Sequence, residues 1–405
     1  MADTPDMSLS LNNLFRPEIL ANPYQFYREL RSRDPIHWDR SRNSWVLTRY
    51  EDVNAVTSDQ RFSSSVLADS TSWIPERQRR DLAAAFLAMR KDLIFSDPPD
   101  HTGLRALFGR VFSGRVNEEL RRRVEQIAHG LLDAVQTQGC MDVIKDFARP
   151  LPFLVIAEIM GIPPDDLDWL RSWSDAHGQF VTLRGDQFLP AVRAFGQVKD
   201  YFRSLAVSRR ARPGNDLISA LVTDTSCNDD VCSEEVLANC TFVLTAAHLN
   251  TTNLIGNGLL ALIRHPEQLQ VLKEKPGLMA GAVEELLRYD SPVQMIKRVA
   301  GEDVGIRGKQ IAKGQMLFLL LGAANHDPAR FVEPEKLDLA RQDNRHLAFA
   351  PGIHYCLGAA LGRLEGQIAL ATLLERFPAL RLASTRLDWH RNMVIRGLKA
   401  LPVVF

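Results

Sequence analysis

Apolar side chains recur at helical spacing along much of the chain. In residues 116–135, for example, Leu120, Val124, Ile127 and Leu131 would fall on one face of a helix. Because several other segments have the same three- or four-residue spacing, the pattern predicts a protein built mainly from helices.

The longest predicted helix runs from about Ser233 to His265. Ser233 is a residue type that caps helices, and Pro266 ends the pattern. At 1.5 Å per residue the helix would be about 45–50 Å long, which is enough to cross a domain. We therefore expect its middle to contact a functional site. That middle, LTAAHLNTTNLIGNG, holds a polar cluster without a carboxylate.

Short strands are the minor component of the pattern. Four segments predict strands, namely 44–49, 296–298, 304–306 and 316–321, and the tail, residues 392–405, predicts a turn followed by a strand. A helix ending before Pro292 and another beginning after Cys356 flank an irregular polar stretch, residues 325–345. Since repeats and long linkers are absent, we expect residues 1–405 to form a single, mainly α domain with small β-sheets.

The charge balance argues against two classes of partner. Lys plus Arg and Asp plus Glu each total 49, so the net charge is zero and nothing favours nucleic acid or an anionic membrane surface. The beginning of the chain lacks the basic and apolar regions of a secretory signal. The most apolar run, Met316–Ala324, is far shorter than the ~20 residues of a membrane-spanning helix. We expect a soluble, cytoplasmic monomer.

The five cysteines do not suggest a disulfide framework, because their number is odd and they are widely spread. Cys227 and Cys232 lie close together in a polar loop, but no further Cys or His follows at the spacing of a zinc site. We interpret these two residues as free thiols.

Cys356 has a different setting, in the segment HLAFAPGIHYCLGAALGRLEG. It precedes a helix predicted to begin near Leu357, where the helix dipole and free backbone N–H groups favour a thiolate. Gly358 leaves those N–H groups accessible. An anionic sulfur in this position is suited to be the axial ligand of a metal, and in haem such a ligand favours O–O cleavage.

This segment resembles the haem-ligand loop of the cytochrome P450 family, in its soluble bacterial form. The family pattern Phe-x-x-Gly-x-His-x-Cys-x-Gly is matched at all five positions, by Phe349, Gly352, His354, Cys356 and Gly358. The resemblance implies the cytochrome P450 fold, with the long helix over the haem. It also implies heme b (iron protoporphyrin IX) ligated by the Cys356 thiolate, and a monooxygenase of the EC 1.14 type that uses O₂.

The resemblance extends to a Glu-x-x-Arg pair, here Glu285 and Arg288, which lie three residues apart on a predicted helix. In the family this pair has a structural role beneath the haem. In the family an Arg or His from the irregular stretch before the ligand loop often joins this pair. Lys336 and Arg341 are both near that position, and the sequence leaves the choice open.

Four residues are implied as contacts of the haem propionates. His101 and Arg105, in the segment DPPDHTGLRALF, are four residues apart and project from one helical face. Arg298 and His354 are the other two. Cationic or hydrogen-bonding groups are chemically suited to two carboxylates.

The long helix departs from the family pattern Ala-Gly-x-(Asp/Glu)-Thr, whose small residues leave room for O₂ and whose acid and alcohol organise waters for proton delivery. The small, small, acid and alcohol positions are taken, in order, by Ala246, Ala247, Leu249 and Asn250. A one-residue shift would put Thr251 at the alcohol position. In either register no carboxylate occurs between Glu235 and Gly258.

Two interpretations of this departure stay open. Asn250 and Thr251 hold the waters and ordinary hydroxylation continues, or the reaction depends less on proton delivery, as in substrate-assisted protonation or oxidative C–C or aryl coupling. An amide can position water but cannot shuttle protons as a carboxylate does. We expect His248 to pack or hydrogen-bond within the protein rather than ligate iron.

By their positions in the resemblance, further residues are implied to line the substrate pocket. They are Val243, Ala246, Leu249, Asn250, Val293, Gln294, Ile296, Met393 and Val394. The segments 63–93 and 179–189 are also implied to face substrate, with Gln179 and Thr182 as polar contacts. Their mixed, mostly apolar character indicates a medium-sized, partly apolar organic molecule, as in secondary metabolism.

The 405 residues leave no room for a flavin or iron–sulfur domain, so the resemblance implies ferredoxin and ferredoxin reductase as electron donors. We expect them to dock near Cys356, on a basic patch to which four arginines contribute, Arg105, Arg110, Arg345 and Arg363. The alternatives are a non-catalytic haem-binding partner protein, for which the missing acid–alcohol pair is the only support, and peroxide-driven oxidation.

Overall fold

A computed structural model of the chain describes residues 9–66, 76, 87, 89–112, 114–177, 188–224 and 233–405. These residues fall into two compact units. Unit 1 comprises the described parts of Met1–Ser63, His129–Ala148 and Asn250–Phe405, and unit 2 those of Ser64–Ala128 and Arg149–Leu249. The expectation of one domain over residues 1–405 stays a prediction.

Every strand in the described part of the chain lies in unit 1. The strands are β1 Ile36–Asp39, β2 Ser44–Leu47, β3 Phe62–Ser63, β4 Cys140–Asp142, β5 Ile296–Ala300, β6 Val304–Ile306, β7 Lys309–Ile311, β8 Met316–Leu319, β9 Arg381–Leu382 and β10 Pro402–Val404. The largest sheet has the order β1-β2-β8-β5-β3, in which only β2 and β8 are parallel. The smaller sheets are β4-β10-β9 and β6-β7.

Strand β8 is buried on both faces, and its side chains alternate between two hydrophobic clusters. Leu317 and Leu319 pack in one cluster with Leu47, whereas Phe318 packs in another with Tyr27. This alternation follows from the two-residue period of a strand. A sheet covered on both sides explains why the β8 sequence is continuously apolar rather than alternating.

Helices make up most of the remaining structure. They are α1 Pro17–Ala21, α2 Tyr24–Arg33, α3 Tyr50–Ser58, α4 Asp100–Phe112, α5 Glu118–Asp133, α6 Pro150–Met160, α7 Leu167–His177, α8 Phe188–Ala211, α9 Leu217–Thr223, α10 Glu234–Arg264, α11 Pro266–Glu274, α12 Met279–Tyr289, α13 Leu321–Ala324 and α14 Ala359–Arg376. In unit 2, α9 packs against α4, α6 and α8. None of the helices in the described ranges combines the length and apolar character that a membrane span requires. The mainly α fold with small sheets is confirmed.

Helix α10 closely matches its predicted bounds. The Ser233 hydroxyl accepts a hydrogen bond from the backbone N–H of Val236 at 3.3 Å, which caps the first turn. The helix ends at Arg264, two residues before Pro266. Its 31 residues give a length of about 46 Å. Residues up to Leu249 belong to unit 2 and those that follow belong to unit 1.

Three local predictions differ from the structure. Five short strands, β1, β3, β4, β7 and β9, were not predicted. Helix α5 buries Val124, Ala128 and Leu132. The other residues of the predicted face, Leu120, Ile127 and Leu131, are only half-buried. Because Ala128 is small and only weakly apolar, the apolar pattern did not mark it as a buried residue. Helix α14 begins at Ala359 rather than Leu357, since Cys356–Gly358 form a turn in which the Ala359 N–H donates to the Cys356 carbonyl at 3.3 Å.

Candidate active site

The segment before α14 folds into a loop that closes on itself. The backbone N–H of Cys356 donates to the Phe349 carbonyl at 2.9 Å, and that of Tyr355 donates to the Gly352 carbonyl at 3.0 Å. Gly352 has a φ of 77°, in the left-handed region that favours glycine. A Cβ at this position would lie 2.7 Å from the Thr57 carbonyl oxygen. Gly352 is therefore required both by the turn and by the close approach of α3.

Space is open beside Cys356, whose side chain is exposed. A Cβ added at Gly358 would meet no atom within 4 Å, and the φ of −89° there is ordinary. Helix α14 begins one residue later, so its unpaired N–H groups favour negative charge close to this point. The haem that the resemblance implies fits this place, because the Cys356 sulfur is accessible, a helix N-terminus is near and the space at Gly358 is open.

Glu284 on α12 is the centre of a polar cluster that sequence reasoning missed. Arg363 on α14 donates two hydrogen bonds to its carboxylate, at 2.7 and 2.9 Å, and His346 Nε2 lies 3.2 Å from it. Burial raises the pKa of Glu284, but the hydrogen bonds from His346 and Arg363 outweigh burial and lower the pKa to about 2. Arg363 also donates to the Tyr355 hydroxyl at 3.0 Å and lies over the Phe349 ring, 4.4 Å from its centroid. The cluster joins two helices to the Cys356 loop.

Glu285, the next residue, forms a buried network with Arg288. Both side chains are fully buried, and Arg288 donates from Nε and one terminal nitrogen to the two carboxylate oxygens, each at 2.8 Å. Of the two candidate third members, Arg341 contacts Glu285 through Nε at 3.1 and 3.2 Å. Lys336 contributes only its backbone carbonyl, which accepts from Arg288 at 3.1 Å and from Arg341 at 3.3 Å.

The four residues implied as propionate contacts lie two in each unit. In unit 1, Arg298 is buried on β5 and donates to the Lys297 carbonyl at 2.8 Å, and His354 is half-buried in the Cys356 loop. In unit 2, His101 and Arg105 lie one turn apart on α4. Burial, followed by the positive charge of Arg105, lowers the pKa of His101, so its imidazole is neutral at pH 7.

The middle of α10 has an uneven pattern of exposure. Its half-buried positions are Ala246, Ala247, Leu249 and Asn250, whereas Val243, His248 and Thr251 are buried. A run of partly exposed side chains in the centre of an otherwise buried helix indicates open space beside it. Asn250 is half-buried and Thr251 is buried, so the two side chains are not interchangeable as contacts of that open space.

His248 is completely buried within unit 2, with hydrogen-bonding distances at both ring nitrogens. Nδ1 lies 2.9 Å from the Leu244 carbonyl, Nε2 lies 3.3 Å from the Ser174 hydroxyl, and the ring packs edge-on against Phe153. The prediction that His248 hydrogen-bonds within the protein is confirmed.

A second feature missed from the sequence is the carboxyl group of Glu365 on α14, which is 1% exposed. Burial raises its pKa well above the usual range, and the nearby Thr251 hydroxyl only partly opposes this shift. The only sequence signal was a glutamate in an apolar helical pattern.

Several residues predicted to line the substrate pocket lie near one another in unit 1. Val293 forms an isolated antiparallel bridge with Ile395, and the backbone of Gln294 hydrogen-bonds to that of Val394 at 2.8 Å. Ile296, Met393, Val293 and Val394 are each half-buried. The predicted segment 179–187, with Gln179 and Thr182, lies outside the described residues, as do most of residues 67–88 and both Cys227 and Cys232.

Gln294 is buried among protein groups, and its predicted contact with substrate stays a prediction. It is 2% exposed, and its amide donates to the Ser291 carbonyl at 2.7 Å and to the Tyr24 hydroxyl at 3.3 Å. A Cβ at Gly322 would lie 2.3 Å from its side-chain oxygen. The side chain thus fills a tight interior position.

Three of the four arginines in the predicted basic patch have carboxylate partners. Arg110 pairs with Asp224 at 3.1 Å, Arg345 with Asp343 at 3.7 Å, and Arg363 with Glu284. These pairs reduce the net positive charge that the arginine count alone suggested.

The chain is similar to known proteins over nearly its whole length. A family model described as "Cytochrome P450" matches residues 277–387. The chain is 40% identical over 369 residues to Cytochrome P450 CYP107DY1 of Priestia megaterium, covering 89% of this chain and 90% of that protein. It is also 40% identical over 405 residues to the Polyketide biosynthesis cytochrome P450 PksS of Bacillus subtilis, covering 96% and 98%.

The solved structures agree with these relatives. One, a crystal structure of P450BioI in complex with acyl carrier protein ligated to hexadec-9Z-enoic acid, superposes with a TM-score of 0.89 and 39% identity. That alignment covers 96% of this chain and 100% of the other. Similarity of this extent, with the complete Cys356 motif, shows that the chain belongs to the cytochrome P450 family.

Proposed function

We propose that this cytochrome P450 is a haem-thiolate monooxygenase in which Cys356 is the iron ligand. Enzymes of the family carry haem, which activates O₂ when it is bound to a cysteine thiolate. The observation that supports Cys356 best is its exposed side chain in a loop closed by the hydrogen bond from Cys356 N–H to the Phe349 carbonyl, next to the open space at Gly358. Gly352 fixes the turn that holds this loop against α3.

Four residues are proposed to bind the haem propionates, namely His101, Arg105, Arg298 and His354. Two arginines supply charge-assisted hydrogen bonds, and a neutral His101 supplies an N–H donor without an added buried charge. Glu285, Arg288 and Arg341 are proposed to be structural, since they connect α12 to the irregular segment before the Cys356 loop.

The half-buried side of α10 is proposed to face O₂ and substrate. Ala246 and Ala247 leave room there, and the Asn250 amide positions water. With Leu249 and Val243 beside them, we propose a medium-sized, partly apolar organic substrate, oxidised in natural-product metabolism. Hydroxylation is the first candidate reaction. Oxidative C–C or aryl coupling is the second, favoured by the amide of Asn250 where the family has an alcohol.

Electrons are proposed to come from a separate ferredoxin and its reductase. Since Arg345 and Arg363 are partly neutralised by Asp343 and Glu284, we expect docking to depend on specific contacts near Tyr355 and Ile353, both exposed, as well as on charge. Residues 1–405 are proposed to act as one haem-binding monooxygenase domain.

A carrier-bound substrate is a second possibility for the substrate class, favoured by the P450BioI complex with an acylated carrier protein. Titration with acyl carrier protein loaded with a fatty acid, against the same free acid, tests it. A haem spectral shift at far lower concentration of the loaded carrier supports a tethered substrate, and equal affinities contradict it.

The reduced carbon monoxide complex tests the ligand assignment. We expect the long-wavelength Soret band of thiolate ligation in the native protein and its loss in Cys356→Ala. The matched control is Cys140→Ala, at another exposed cysteine. A Cys356→Ala variant that keeps the band would show that the assignment is wrong.

Turnover with surrogate redox proteins, NADPH and candidate substrates tests enzymatic function separately. Substrates that bind tightly but never yield product under O₂ would favour a non-catalytic haem-binding protein. Product formed with peroxide and no reductase would favour peroxide-driven oxidation.

A further inference from the structure

A hairpin of residues 389–398 carries Met393 at its tip, and the backbone of this tip is held in place. The Asn392 side-chain oxygen accepts hydrogen bonds from the backbone N–H groups of Val394 and Ile395, at 2.8 and 3.0 Å. The two arms of the hairpin pair with each other at its base. Met393 therefore lies in a turn whose backbone has little freedom to move.

Arg396 fastens this hairpin to two other parts of unit 1. Its guanidinium donates to the Asp290 carboxylate at 2.6 Å and to the carbonyls of Leu20 and Ala21, at 2.6 and 2.9 Å. Arg396 is 7% exposed, so these charge-assisted hydrogen bonds are shielded from water. Because a shift of the hairpin backbone would break them, we expect the hairpin to keep its position when a ligand binds.

The hairpin also lies against the central part of α10. The Asn257 side chain donates to the Arg396 carbonyl at 3.1 Å. A Cβ at Gly397 would lie 1.8 Å from the Asn253 side-chain oxygen, so the hairpin and the helix are in close contact there. Asn253 follows the half-buried Asn250 by three residues and therefore lies on the same side of the helix. The hairpin is thus held beside the part of α10 that is proposed to face substrate.

A small cleft adjoins Met393. Its volume is about 20 Å³, which is room for about one or two small groups, such as a water molecule or a methyl group. Apolar side chains from the N-terminal part of unit 1 form much of its lining, namely those of Leu14, Ile19, Leu20 and Tyr27. Met393 packs on the same apolar cluster as Leu14 and Tyr27. An apolar group that enters the cleft therefore meets apolar neighbours.

Met393 is the most adaptable of the four half-buried residues that are expected to line the substrate pocket. The other three, Val293, Ile296 and Val394, are β-branched, and their side chains are stiff at χ1. Methionine is unbranched and has three rotatable bonds. Since the hairpin backbone is fastened, a change of shape at this wall of the pocket has to come from the Met393 side chain.

We propose that Met393 sets the range of substrate sizes that the enzyme accepts, by withdrawing the end of its side chain into the adjoining cleft when a bulky substrate binds. The inference rests on the proposed monooxygenase function. A small substrate leaves the thioether at the pocket wall, where it maintains contact, and a bulky one displaces it toward Leu20 and Tyr27. The substrate class that follows is a set of molecules whose apolar portions differ in bulk, rather than a single rigid shape.

Imidazoles with apolar substituents of increasing bulk test this proposal, because the imidazole nitrogen ligates haem iron and the substituent then occupies the space beside it. The shift of the haem Soret band gives each dissociation constant without turnover. We expect the affinity of the native protein to depend little on bulk. Met393→Ile, which is similar in size but stiff, should bind unsubstituted imidazole equally well and the bulkiest member roughly tenfold more weakly.

Filling the cleft tests the same proposal without changing Met393. Leu20→Phe enlarges a side chain of the lining, so we expect a similar loss for the bulkiest imidazole, and the double variant with Met393→Ile should add little. The control is Val332→Phe, which adds a ring at a position that is 80% exposed and should leave the series unchanged. A dependence on bulk equal to that of the native protein in either Met393→Ile or Leu20→Phe would overturn the proposal.

Crystal structures of two of these complexes show where the side chain goes. With the bulkiest imidazole, we expect the Met393 sulfur and methyl group beside Leu20 and Tyr27, with the hairpin backbone unmoved. With unsubstituted imidazole they should lie outside the cleft. A Met393 side chain in the same place in both complexes, or a hairpin backbone that moves instead, would refute the proposal.

Failure of this proposal is distinguishable from failure of the proposed function. If native protein lacks the carbon monoxide band of thiolate ligation, the proposed function fails on that evidence alone. If the band is present and unsubstituted imidazole binds equally to native protein and variants, the haem and its surroundings are intact, so an unchanged dependence on bulk refutes only the role of Met393. If Leu20→Phe does not fold, Met393→Ile and the two crystal structures decide the question.

Discussion

Arg363 and Glu284 form a two-point ion pair that joins α14 to α12, with N–O distances of 2.7 and 2.9 Å. The same guanidinium contacts Tyr355 and lies over the Phe349 ring, so the pair also holds the two sides of the Cys356 loop. Parallel hydrogen bonds from a guanidinium to a carboxylate are stronger and more directional than single neutral ones. The position of the loop therefore depends on a carboxylate outside the recognised motif.

Replacing Glu284 with Gln is expected to destabilise the protein by about 1–3 kcal/mol at pH 7, because one charge-assisted pair is lost. The folded pKa of about 2 lies below the ordinary 4.5, so the stabilisation is present above pH 4.5 and lost as pH falls toward 2. Urea unfolding at pH 7 and pH 3 measures it, and the difference between variant and native protein should shrink at pH 3.

The control for this change is Glu302→Gln, an exposed carboxylate 4.0 Å from Arg61, which should alter stability very little. A Glu284→Gln variant as stable as the control at pH 7 would show that the pair does not hold the loop.

The Cys356 loop was predictable because all of its determinants lie within ten consecutive residues. The left-handed φ of Gly352 is a local backbone requirement that a sequence pattern can display. The bounds of α10 were predictable for the same reason, since Ser233 and Pro266 act on the residues next to them.

Tertiary partners could not be predicted in this way. Glu284 and Arg363 are 79 residues apart, and nothing local distinguishes Glu284 from the neighbouring Glu285. The partners of Gln294 were also not predictable, since its position in the chain does not reveal that its amide donates hydrogen bonds to the Ser291 carbonyl and the Tyr24 hydroxyl. Glu365 was missed because burial, rather than residue type, makes its carboxyl unusual.

The two loop glycines are expected to respond differently to substitution by alanine. Gly352→Ala would place a Cβ 2.7 Å from the Thr57 carbonyl and force a side chain into a left-handed φ, so a loss of about 1–3 kcal/mol is expected. Gly358→Ala meets no protein atom and should leave the stability of the haem-free protein unchanged. Urea unfolding of the haem-free protein measures both.

Haem titration separates the roles of the same glycines. If the space beside Gly358 receives the haem, Gly358→Ala should weaken haem binding despite normal stability. Haem affinity equal to that of the native protein would contradict the proposed place of the cofactor.

His326 is expected to make the fold sensitive to mild acid. Burial, followed by the positive charge of Arg288, lowers its pKa to about 3, although Nε2 hydrogen-bonds to the Tyr289 carbonyl at 2.9 Å. The unfolded chain takes up a proton near pH 6.5 and the folded protein does not. Stability is therefore present above pH 6.5 and falls by about 1.4 kcal/mol per pH unit from there toward pH 3.

A His326→Gln variant should lack this dependence. It also loses the stacking on Tyr24, at a centroid distance of 4.2 Å, but that loss is the same at every pH. Between pH 7.5 and pH 5 the stability of the native protein should fall by about 2 kcal/mol more than that of the variant. His37→Gln on β1 is the control, and parallel pH profiles for native protein and His326→Gln would refute the assignment.

Placing an acid and an alcohol on α10 is expected to change how O₂ is used. Leu249→Glu with Asn250→Thr puts a carboxyl group and a hydroxyl at two half-buried positions, where both can reach water. If proton delivery limits the native enzyme, less reducing power should be lost as peroxide, and product per NADPH should rise severalfold, because a positioned acid speeds proton transfer. Peroxide and product measured against NADPH consumption give the result.

The matched control is Leu249→Gln with Asn250→Thr, which keeps size and polarity but has no titratable proton. Equal coupling in the two double variants would show that the carboxyl group is not what the helix lacks, and equal coupling in all three proteins would mean that proton delivery does not limit this enzyme.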